Sequence, residues 1–227
     1  MRLLQKYLSE FVYGGIDGGI TTFAVVAGAI GASLDISIIL ILGFANLIAD
    51  GFAMSVGAYL SAQSEKKVYK KFLREEYDQI KTDPKREKEE VRSIYRKKGF
   101  SGELLEQVVE KICESDDRWV EEMMVHEHAL TEEKKSSFMI ALATFISFNI
   151  IGFVPVSLYV INLILPLSID LFFWTSLFTG ISFIAVGYLK SLVTQENGFK
   201  SISETLSLGI VAALLAYWVG FFLDSII

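Results

Sequence analysis

Two aspartates lie within long apolar stretches and are the first residues of this sequence that could do chemistry. Asp17 interrupts the apolar residues 11–34 and is flanked by glycine pairs, and Asp50 interrupts the apolar residues 36–61. A carboxylate inside a lipid bilayer costs on the order of 3 kcal/mol, so each aspartate indicates a functional site. The alternative is a structural pairing with a buried donor on another helix, although the apolar stretches contain no Lys, Arg or His.

Three residues of the second apolar stretch recur at a spacing of four. A helix therefore places Asn46, Asp50 and Met54 on one face. Because the two stretches run in opposite directions, Met54 falls at about the same depth as Asp17, and a carboxylate and a thioether at one depth could bind the same ion. Mg²⁺ and Ca²⁺ require oxygen ligands, whereas sulfur accepts a softer transition metal. The alternative for Met54 is that it only fills the core.

Glutamates and methionines in the charged middle of the chain offer the same ligand types. Glu87 and Glu90 are three residues apart, and Met123 and Glu127 are four apart, so each pair shares a helix face. The combination suggests capture of a divalent metal, and a solvated charged face is the alternative for each glutamate alone. The candidate metal ligands of this region are Glu76, Glu87, Glu90, Met123, Met124 and Glu127.

The sequence does not predict an enzyme. A ferritin-type di-iron oxidase places a glutamate three residues before each ligand histidine, but Met123 and Val125 precede His126 and His128 at that spacing. The single Cys113 excludes an internal disulfide and a four-thiolate metal site. The phosphate-binding pattern Gly-x-x-x-x-Gly-Lys is absent, so nothing indicates the use of ATP. We expect no cofactor beyond the divalent metal itself.

Charge is divided unevenly along the 227 residues, and this division predicts the architecture. Between Gln63 and Ser136 lie 17 of the 21 Lys and Arg residues and 19 of the 27 Asp and Glu residues. The remaining two thirds of the chain hold only 4 basic and 8 acidic residues, which suits a bilayer and not a soluble surface. We therefore predict an all-α integral membrane protein with a charged helical segment.

Five stretches are long enough to cross a bilayer, which takes about 20 apolar residues each. They divide the chain into two transmembrane helices (residues 1–63), a helical metal-binding segment (64–136) and three transmembrane helices (137–227). Pro155 is expected to kink the third span. A cleaved signal peptide is the alternative for the first span, but Asp17 interrupts it. The predicted spans are 11–34, 36–61, 137–162, 171–189 and 205–223.

Helix signals divide the charged segment. The second span is expected to continue as helix to about Ile80, and residues 82–84, Thr-Asp-Pro, supply a cap and a first-turn proline for a helix to about Lys98. Two further helices are predicted over 103–114 and 118–130. The apolar side of the helix over 103–114 is expected to contain Leu104, Leu105, Val108, Val109 and Ile112.

Basic residues outside the spans predict the orientation. Arg2 and Lys6 precede the first span, 17 basic residues lie between the second and third, and Lys190 and Lys200 lie between the fourth and fifth. All 21 therefore fall on one side of the membrane. The positive-inside rule puts the N-terminus and residues 64–136 in the cytoplasm and the C-terminus on the far side. We expect a prokaryotic cell membrane, or a vacuolar membrane if the source is a eukaryote.

Three motifs follow one another along the chain: Tyr-Gly-Gly-Ile-Asp-Gly at 13–18, Met-Ser-Val-Gly-Ala-Tyr-Leu at 54–60, and Trp-Val-Glu-Glu-Met-Met at 119–124 with Glu127. In this order they resemble the vacuolar iron transporter family, and the resemblance covers nearly the whole chain. It implies five spans, a helical cytoplasmic metal-binding domain and a homodimer. It also implies export of cytosolic Fe²⁺, and of Mn²⁺, in exchange for protons, with the lipid bilayer as surroundings and no nucleic acid partner.

The resemblance also implies roles for individual residues. Asp17 and Met54 look like pathway ligands, with Asp17 as the proton-coupling site, and Asn46 and Asp50 would line the same pathway. The six ligands named above in the charged segment look like those of the cytoplasmic metal store. Two positions depart from the family pattern: Gln79 stands where a further metal-binding glutamate is expected, and Asn46 where the second span often has an acid.

Two other interpretations stay open at this level. A membrane protein that does not transport, and whose charged segment binds a metal or partner as a sensor or scaffold, would explain that segment but not the intramembrane Asp17 and Asp50. Within transport, Mn²⁺ could be the physiological cargo in place of Fe²⁺, because both ions accept carboxylate and sulfur ligands.

Overall fold

A computed structural model describes residues 5–226 of the chain, and Arg2, used above for the orientation, lies outside this range. Helices are the regular structure of these residues, with no strand between residues 5 and 226, so the predicted all-α fold class is confirmed. The helices are α1 (Leu8–Gly31), α2 (Ile36–Thr82), α3 (Pro84–Lys97), α4 (Gly102–Cys113), α5 (Asp116–His126), α6 (Ser137–Gly152), α7 (Val154–Ile164), α8 (Leu171–Thr194) and α9 (Gly198–Asp224).

Four described helices are long and apolar enough to cross a membrane, against five predicted spans, and a bent pair of helices stands where the remaining span is expected. In the described part of the chain α1, α2, α8 and α9 each qualify alone, and α6 with α7 gives a fifth span if the bent pair crosses as one. The pair is bent by 52° at Phe153. Pro155 near the start of α7 has no N–H to donate to the preceding turn, which explains the predicted kink.

The end of α1 and the start of α9 are set by local backbone structure and hydrogen bonding, and not by hydrophobicity. α1 stops at Gly31 and not at residue 34, because Ser33 adopts a left-handed φ of 53°. α9 begins at Gly198, well before the predicted start at Thr205, because the Asn197 side chain accepts a hydrogen bond from the Phe199 N–H at 2.9 Å. These two predicted boundaries were therefore wrong by up to two turns.

The chain divides into two compact units, residues up to Leu60 with Lys135 onwards, and Ser61–Lys134. In the first, the membrane unit, α1 packs against α6, α7, α8 and α9. Small residues make these contacts close: a Cβ at Gly18 would collide with the backbone of Phe148 on α6, and one at Gly220 would collide with the backbone of Gly28. Glycine thus sets the helix separation around α1.

The second unit, Ser61–Lys134, is called the small unit below, and it has its own apolar core. Asp83 caps α3 by accepting a hydrogen bond from the Arg86 N–H at 3.2 Å, as the Thr-Asp-Pro sequence predicts. Leu104, predicted on the apolar side of α4, is exposed instead, because the face of α4 that is buried carries the residues one position later. The buried core residues are Ile80, Val91, Leu105, Val109, Ile112, Trp119, Val120, Met123 and Met124.

The last helix of the small unit ends earlier than predicted. α5 stops at His126, not near Leu130, and Ala129 adopts a left-handed φ of 54°. The N–H groups of Glu127 and His128 both donate to the carbonyl oxygen of Met123, at 2.9 and 3.3 Å. Chain reversal at this point takes Glu127 and His128 out of a helix and into a turn.

The contact between α1 and α6 gives a direct test of the packing. Gly18→Ala should destabilise the protein by about 1–3 kcal/mol, because the new methyl group meets the α6 backbone, which cannot move aside as a side chain would. Gly180→Ala on α8 is the matched control, since a Cβ there has open space and gains helix propensity. Thermal unfolding in detergent should lower the Tm of the first variant by several degrees and leave the second unchanged or higher. Equal Tm values would contradict the proposed close approach.

Candidate metal centres

Four glutamates from three parts of the small unit converge on one place. Glu76 comes from α2, Glu87 and Glu90 from the first two turns of α3, and Glu127 from the turn after α5. The potential ligand atoms of Glu87, Glu90 and Glu127 all lie within 4.8 Å of one another. Glu76 and Glu127 form a second such group together with His128. We call Glu76, Glu87, Glu90 and Glu127 the carboxylate cluster.

Burial makes this cluster different from a solvated charged face. Glu76 and Glu87 are 0 % and 1 % exposed, and the Oε2 atoms of Glu76, Glu87 and Glu90 are buried without a hydrogen-bond partner. The only guanidinium that contacts the cluster within the described residues is that of Arg86, whose Nε donates to Glu90 Oε1 at 3.0 Å. Buried carboxylate oxygens without donors are costly, and a cation relieves that cost.

Electrostatics of the carboxylate cluster favour uptake of positive charge. Burial, followed by the negative charges of Glu90, Glu76 and Glu127, raises the pKa of Glu87 to about 7. Burial and the neighbouring Glu90 and Glu76 also raise the pKa of Glu127. Near neutral pH the cluster therefore holds on to protons that a divalent cation can replace.

The two predicted methionine ligands lie in the apolar core of the small unit. Met123 and Met124 are 0 % and 1 % exposed and belong to the same buried cluster as Val91 and Val120. Their backbone carbonyls also fix the turn after α5, because Leu130 N–H donates to the Met124 oxygen at 2.8 Å. This placement suits core residues, and a thioether contact with a metal stays a prediction for both.

In the membrane unit, hydrogen bonds join α2 to α1 beside Asp17. The Asn46 side-chain amide donates to the hydroxyls of Thr21 and Thr22 at 3.3 and 3.1 Å. The Thr21 hydroxyl donates in turn to the Asp17 backbone oxygen at 2.9 Å. Asn46 thus acts as a link between two spans, a role that an acid at this position would not fill in the same way.

The other pathway candidates are spread along the same region. Asp17 and Met54 are half-buried, and Asp50 is exposed. Asp50 lies close enough to Asp17 for their negative charges to repel each other. No described Lys, Arg or His pairs with either carboxylate, whereas Glu10 near the start of α1 pairs with Lys135 at 2.7 Å. The structural pairing considered for Asp17 is therefore not observed within residues 5–226.

Sequence reasoning missed two residues at these centres. His128 Nε2 lies 2.7 Å from Glu76 Oε1, although the sequence places them 52 residues apart and offers no shared periodicity. Arg86 contacts the cluster through Glu90, and its i,i+4 spacing is a signal that could have found it. Gln79, in contrast, is exposed on α2.

The fold and these centres define an integral membrane protein with several spans and a separate helical unit that gathers buried carboxylates. Comparison of the sequence with known families agrees. The sequence model of the VIT family matches residues 8–221, and the chain belongs to this family. The resemblance noted from the three motifs is thereby confirmed.

Curated relatives are similar along most of their length. A vacuolar iron transporter of Toxoplasma gondii is 30% identical over 98% of this chain and 76% of its own length. Vacuolar iron transporter 1 of Arabidopsis thaliana is 28% identical over 93% of this chain and 84% of its own. The vacuolar iron transporter of Plasmodium falciparum is 26% identical, with 96% and 82% covered.

The raised pKa of Glu87 predicts how stability depends on pH. The pKa of Glu87 is 4.5 in the unfolded chain and about 7 in the folded protein. Ionisation of Glu87 therefore destabilises the fold, because the unfolded chain loses the proton more easily. This destabilisation grows as the pH rises from 4.5 to about 7 and is complete above that pH. Glu87→Gln removes the free-energy cost of this ionisation. The variant should stabilise the metal-free protein at pH 8 by on the order of 2 kcal/mol and change its stability little at pH 4.5.

Thermal unfolding in detergent with a chelator, at several pH values, measures this difference. Glu110→Gln on the exposed face of α4 is the control and should give no such pH-dependent gain. A stabilisation by Glu87→Gln that is the same at every pH would contradict the raised pKa.

Proposed function

We propose that this protein exports Fe²⁺ from the cytosol across a membrane in exchange for protons, and that Mn²⁺ is a second cargo. The small unit is proposed to capture the ion before it enters the spans. The relatives named vacuolar iron transporters support the cargo. Nothing in the chain's ligand types separates the two ions, because Fe²⁺ and Mn²⁺ are neighbours in the affinity series. We propose that the protein acts as a transporter and not as an enzyme.

One observation carries the capture step: three carboxylate oxygens of the carboxylate cluster are buried without a hydrogen-bond partner. Natural proteins satisfy most buried polar atoms, so unpartnered carboxylate oxygens gathered in one cluster suit the binding of a cation. Oxygen ligands alone would also accept Mg²⁺ or Ca²⁺, and the predicted Met123 and Met124 ligands would favour a softer ion.

The transport step is proposed to use the face formed by Asp17, Asn46, Asp50 and Met54. The carboxylates bind the cation when they are ionised, and a proton arriving from the far side removes the charge that holds it. Asp17 is proposed as the proton-coupling site because it lies among glycines on α1 and no basic side chain neutralises it in the described structure. Exchange of this kind runs on the proton gradient.

Orientation and assembly are part of the same proposal. The basic residues put the N-terminus and residues 64–136 in the cytoplasm and the C-terminus outside. We propose the cell membrane of a prokaryote, or a vacuolar membrane in a eukaryote. We also propose a homodimer, which the resemblance to the family implies.

A membrane-anchored metal sensor or scaffold is the second candidate. The observation that favours it is that the carboxylate cluster is assembled entirely within the small unit, whereas the described membrane unit has no comparable group of three acidic or histidine ligands. A sensor would bind metal with the small unit and carry none across the membrane, so a flux measurement separates the two functions.

Proton coupling predicts the behaviour of an Asp17 variant. In proteoliposomes with a pH gradient and an enclosed metal-quenched dye, the wild type should carry Fe²⁺ and Mn²⁺ at a rate that rises with the gradient. Asp17→Asn should lose the gradient dependence, and Met54→Ala should lower the flux about tenfold, as expected for a lost ligand worth about 1.4 kcal/mol.

Asp35→Asn is the control for Asp17→Asn, because Asp35 is exposed just before α2 and asparagine caps a helix equally well. Unchanged coupling in Asp17→Asn would refute the role of Asp17. Metal binding without flux in the wild type would favour the sensor.

The capture step predicts a different kind of defect. Glu90→Gln should raise the Fe²⁺ concentration for half-maximal flux about tenfold and leave the maximal rate unchanged, because it weakens loading and not translocation. Glu89→Gln is the control, since Glu89 is exposed and forms surface ion pairs with Arg92 and Arg96 that contribute little. A lowered maximal rate with unchanged half-saturation would show that the small unit does not load the pathway.

A further inference from the structure

His128 is the one imidazole that contacts the carboxylate cluster in the described structure. We propose that His128 is a nitrogen ligand of a second metal position, formed with Glu76 and Glu127, and that this position prefers transition metals to Mg²⁺ and Ca²⁺. The inference deepens the proposed capture of metal by the small unit and rests on it. The site adjoins the position formed by Glu87, Glu90 and Glu127, because Glu127 belongs to both groups.

The geometry fits a ligand set. His128 Nε2 lies 2.7 Å from Glu76 Oε1, and the potential ligand atoms of Glu76, Glu127 and His128 lie within 4.8 Å of one another. Glu76 is 0 % exposed, yet its Oε2 has no hydrogen-bond partner, so only half of this buried carboxylate is accounted for by the imidazole. A cation shared by the three side chains would satisfy the second oxygen.

The surrounding structure holds the imidazole in place. The His128 ring packs on the ring of Phe72, with centroids 4.6 Å apart and an interplanar angle of 41°. The His128 side chain is only 18 % exposed. Its backbone is fixed by the turn after α5, where its N–H donates to the Met123 carbonyl oxygen and the next residue, Ala129, has a left-handed φ. A ligand restrained in this way loses little freedom when it binds an ion.

The second histidine is placed differently, which makes it an internal comparison. His126 Nε2 lies 3.3 Å from Glu122 and 2.8 Å from Lys98 Nζ. It belongs to neither group of potential metal ligands in the described residues. The two histidines differ by two positions in sequence, and among the described residues only His128 contacts a carboxylate that has one buried oxygen without a hydrogen-bond partner.

Nitrogen chemistry gives the position its preference. Mg²⁺ and Ca²⁺ bind hard oxygen ligands, whereas imidazole suits Fe, Co, Ni, Cu and Zn. A purely carboxylate group would be open to Mg²⁺, which is abundant in cells, and one nitrogen ligand biases the position against it. His128 would therefore contribute selectivity as well as affinity.

The test uses the full-length protein in detergent, with Co²⁺ as the probe and Mg²⁺ as competitor. Equilibrium dialysis gives the number and affinity of bound Co²⁺, and X-ray absorption at the cobalt edge detects imidazole in the coordination shell. We expect imidazole scattering in the wild type and in His126→Ala. His128→Ala should lose that scattering, bind Co²⁺ about tenfold more weakly at one position and become more sensitive to Mg²⁺.

His128→Gln is a second variant that tests the same ligand if His128→Ala unfolds, because glutamine is uncharged and its amide can still donate a hydrogen bond to Glu76. It should retain Co²⁺ at the position but without imidazole scattering and with weaker discrimination against Mg²⁺. Imidazole scattering that persists in both His128 variants, or that disappears in His126→Ala, would overturn the inference. Co²⁺ binding by the wild type without any imidazole scattering would overturn this inference alone, and no binding at all would overturn the capture step with it.

Discussion

Mutual repulsion among buried carboxylates is the constraint around which the small unit is built. Glu76 and Glu87 are almost fully enclosed, and three of the cluster's oxygens have no hydrogen-bond partner. Such an arrangement opposes folding unless apolar packing elsewhere holds the helices together. The core that includes Val91, Val109 and Met123 supplies apolar packing within the same unit. The unit thus gathers buried carboxylates that lack hydrogen-bond donors, which is what a receptor for a cation requires.

The membrane unit obeys a different rule, because lipid provides no hydrophobic force between helices. Close contact around α1 depends on glycine, as at Gly18 and Gly220. The polar contacts are few and specific, and Asn46 ties α2 to two hydroxyls of α1. Asp17 is left among these contacts without a basic partner in the described residues. Of the residues proposed to serve transport, Asn46 is hydrogen-bonded, whereas Asp17 and Asp50 have no basic partner in the described residues.

Sequence alone predicted the features that depend on local chemistry. The Thr-Asp-Pro cap gave the start of α3, and Pro155 gave the bend between α6 and α7. Sequence could not predict that Glu76 is enclosed while the side chain of the neighbouring Glu75 is 45 % exposed, because that difference depends on which face of α2 meets other helices. Nor could it bring His128 to Glu76, since a left-handed residue at Ala129 ended the helix that periodicity had extended.

The unpaired charges within the spans bear on whether the pH difference or the membrane voltage drives the proposed exchange. Near the membrane unit's helix ends, Glu10 pairs with Lys135 and Lys190 with Glu204, whereas Asp17 and Asp50, in the interior of their apolar stretches, have no basic partner in the described residues. Two carboxylates balance one divalent ion, or equally two protons. An exchange of one ion for two protons at this pair would be electrically silent, driven by the pH difference and indifferent to membrane voltage. A potassium diffusion potential imposed on proteoliposomes would then leave the metal flux unaltered, whereas a voltage-dependent flux would mean that only one of the two carboxylates carries a proton back.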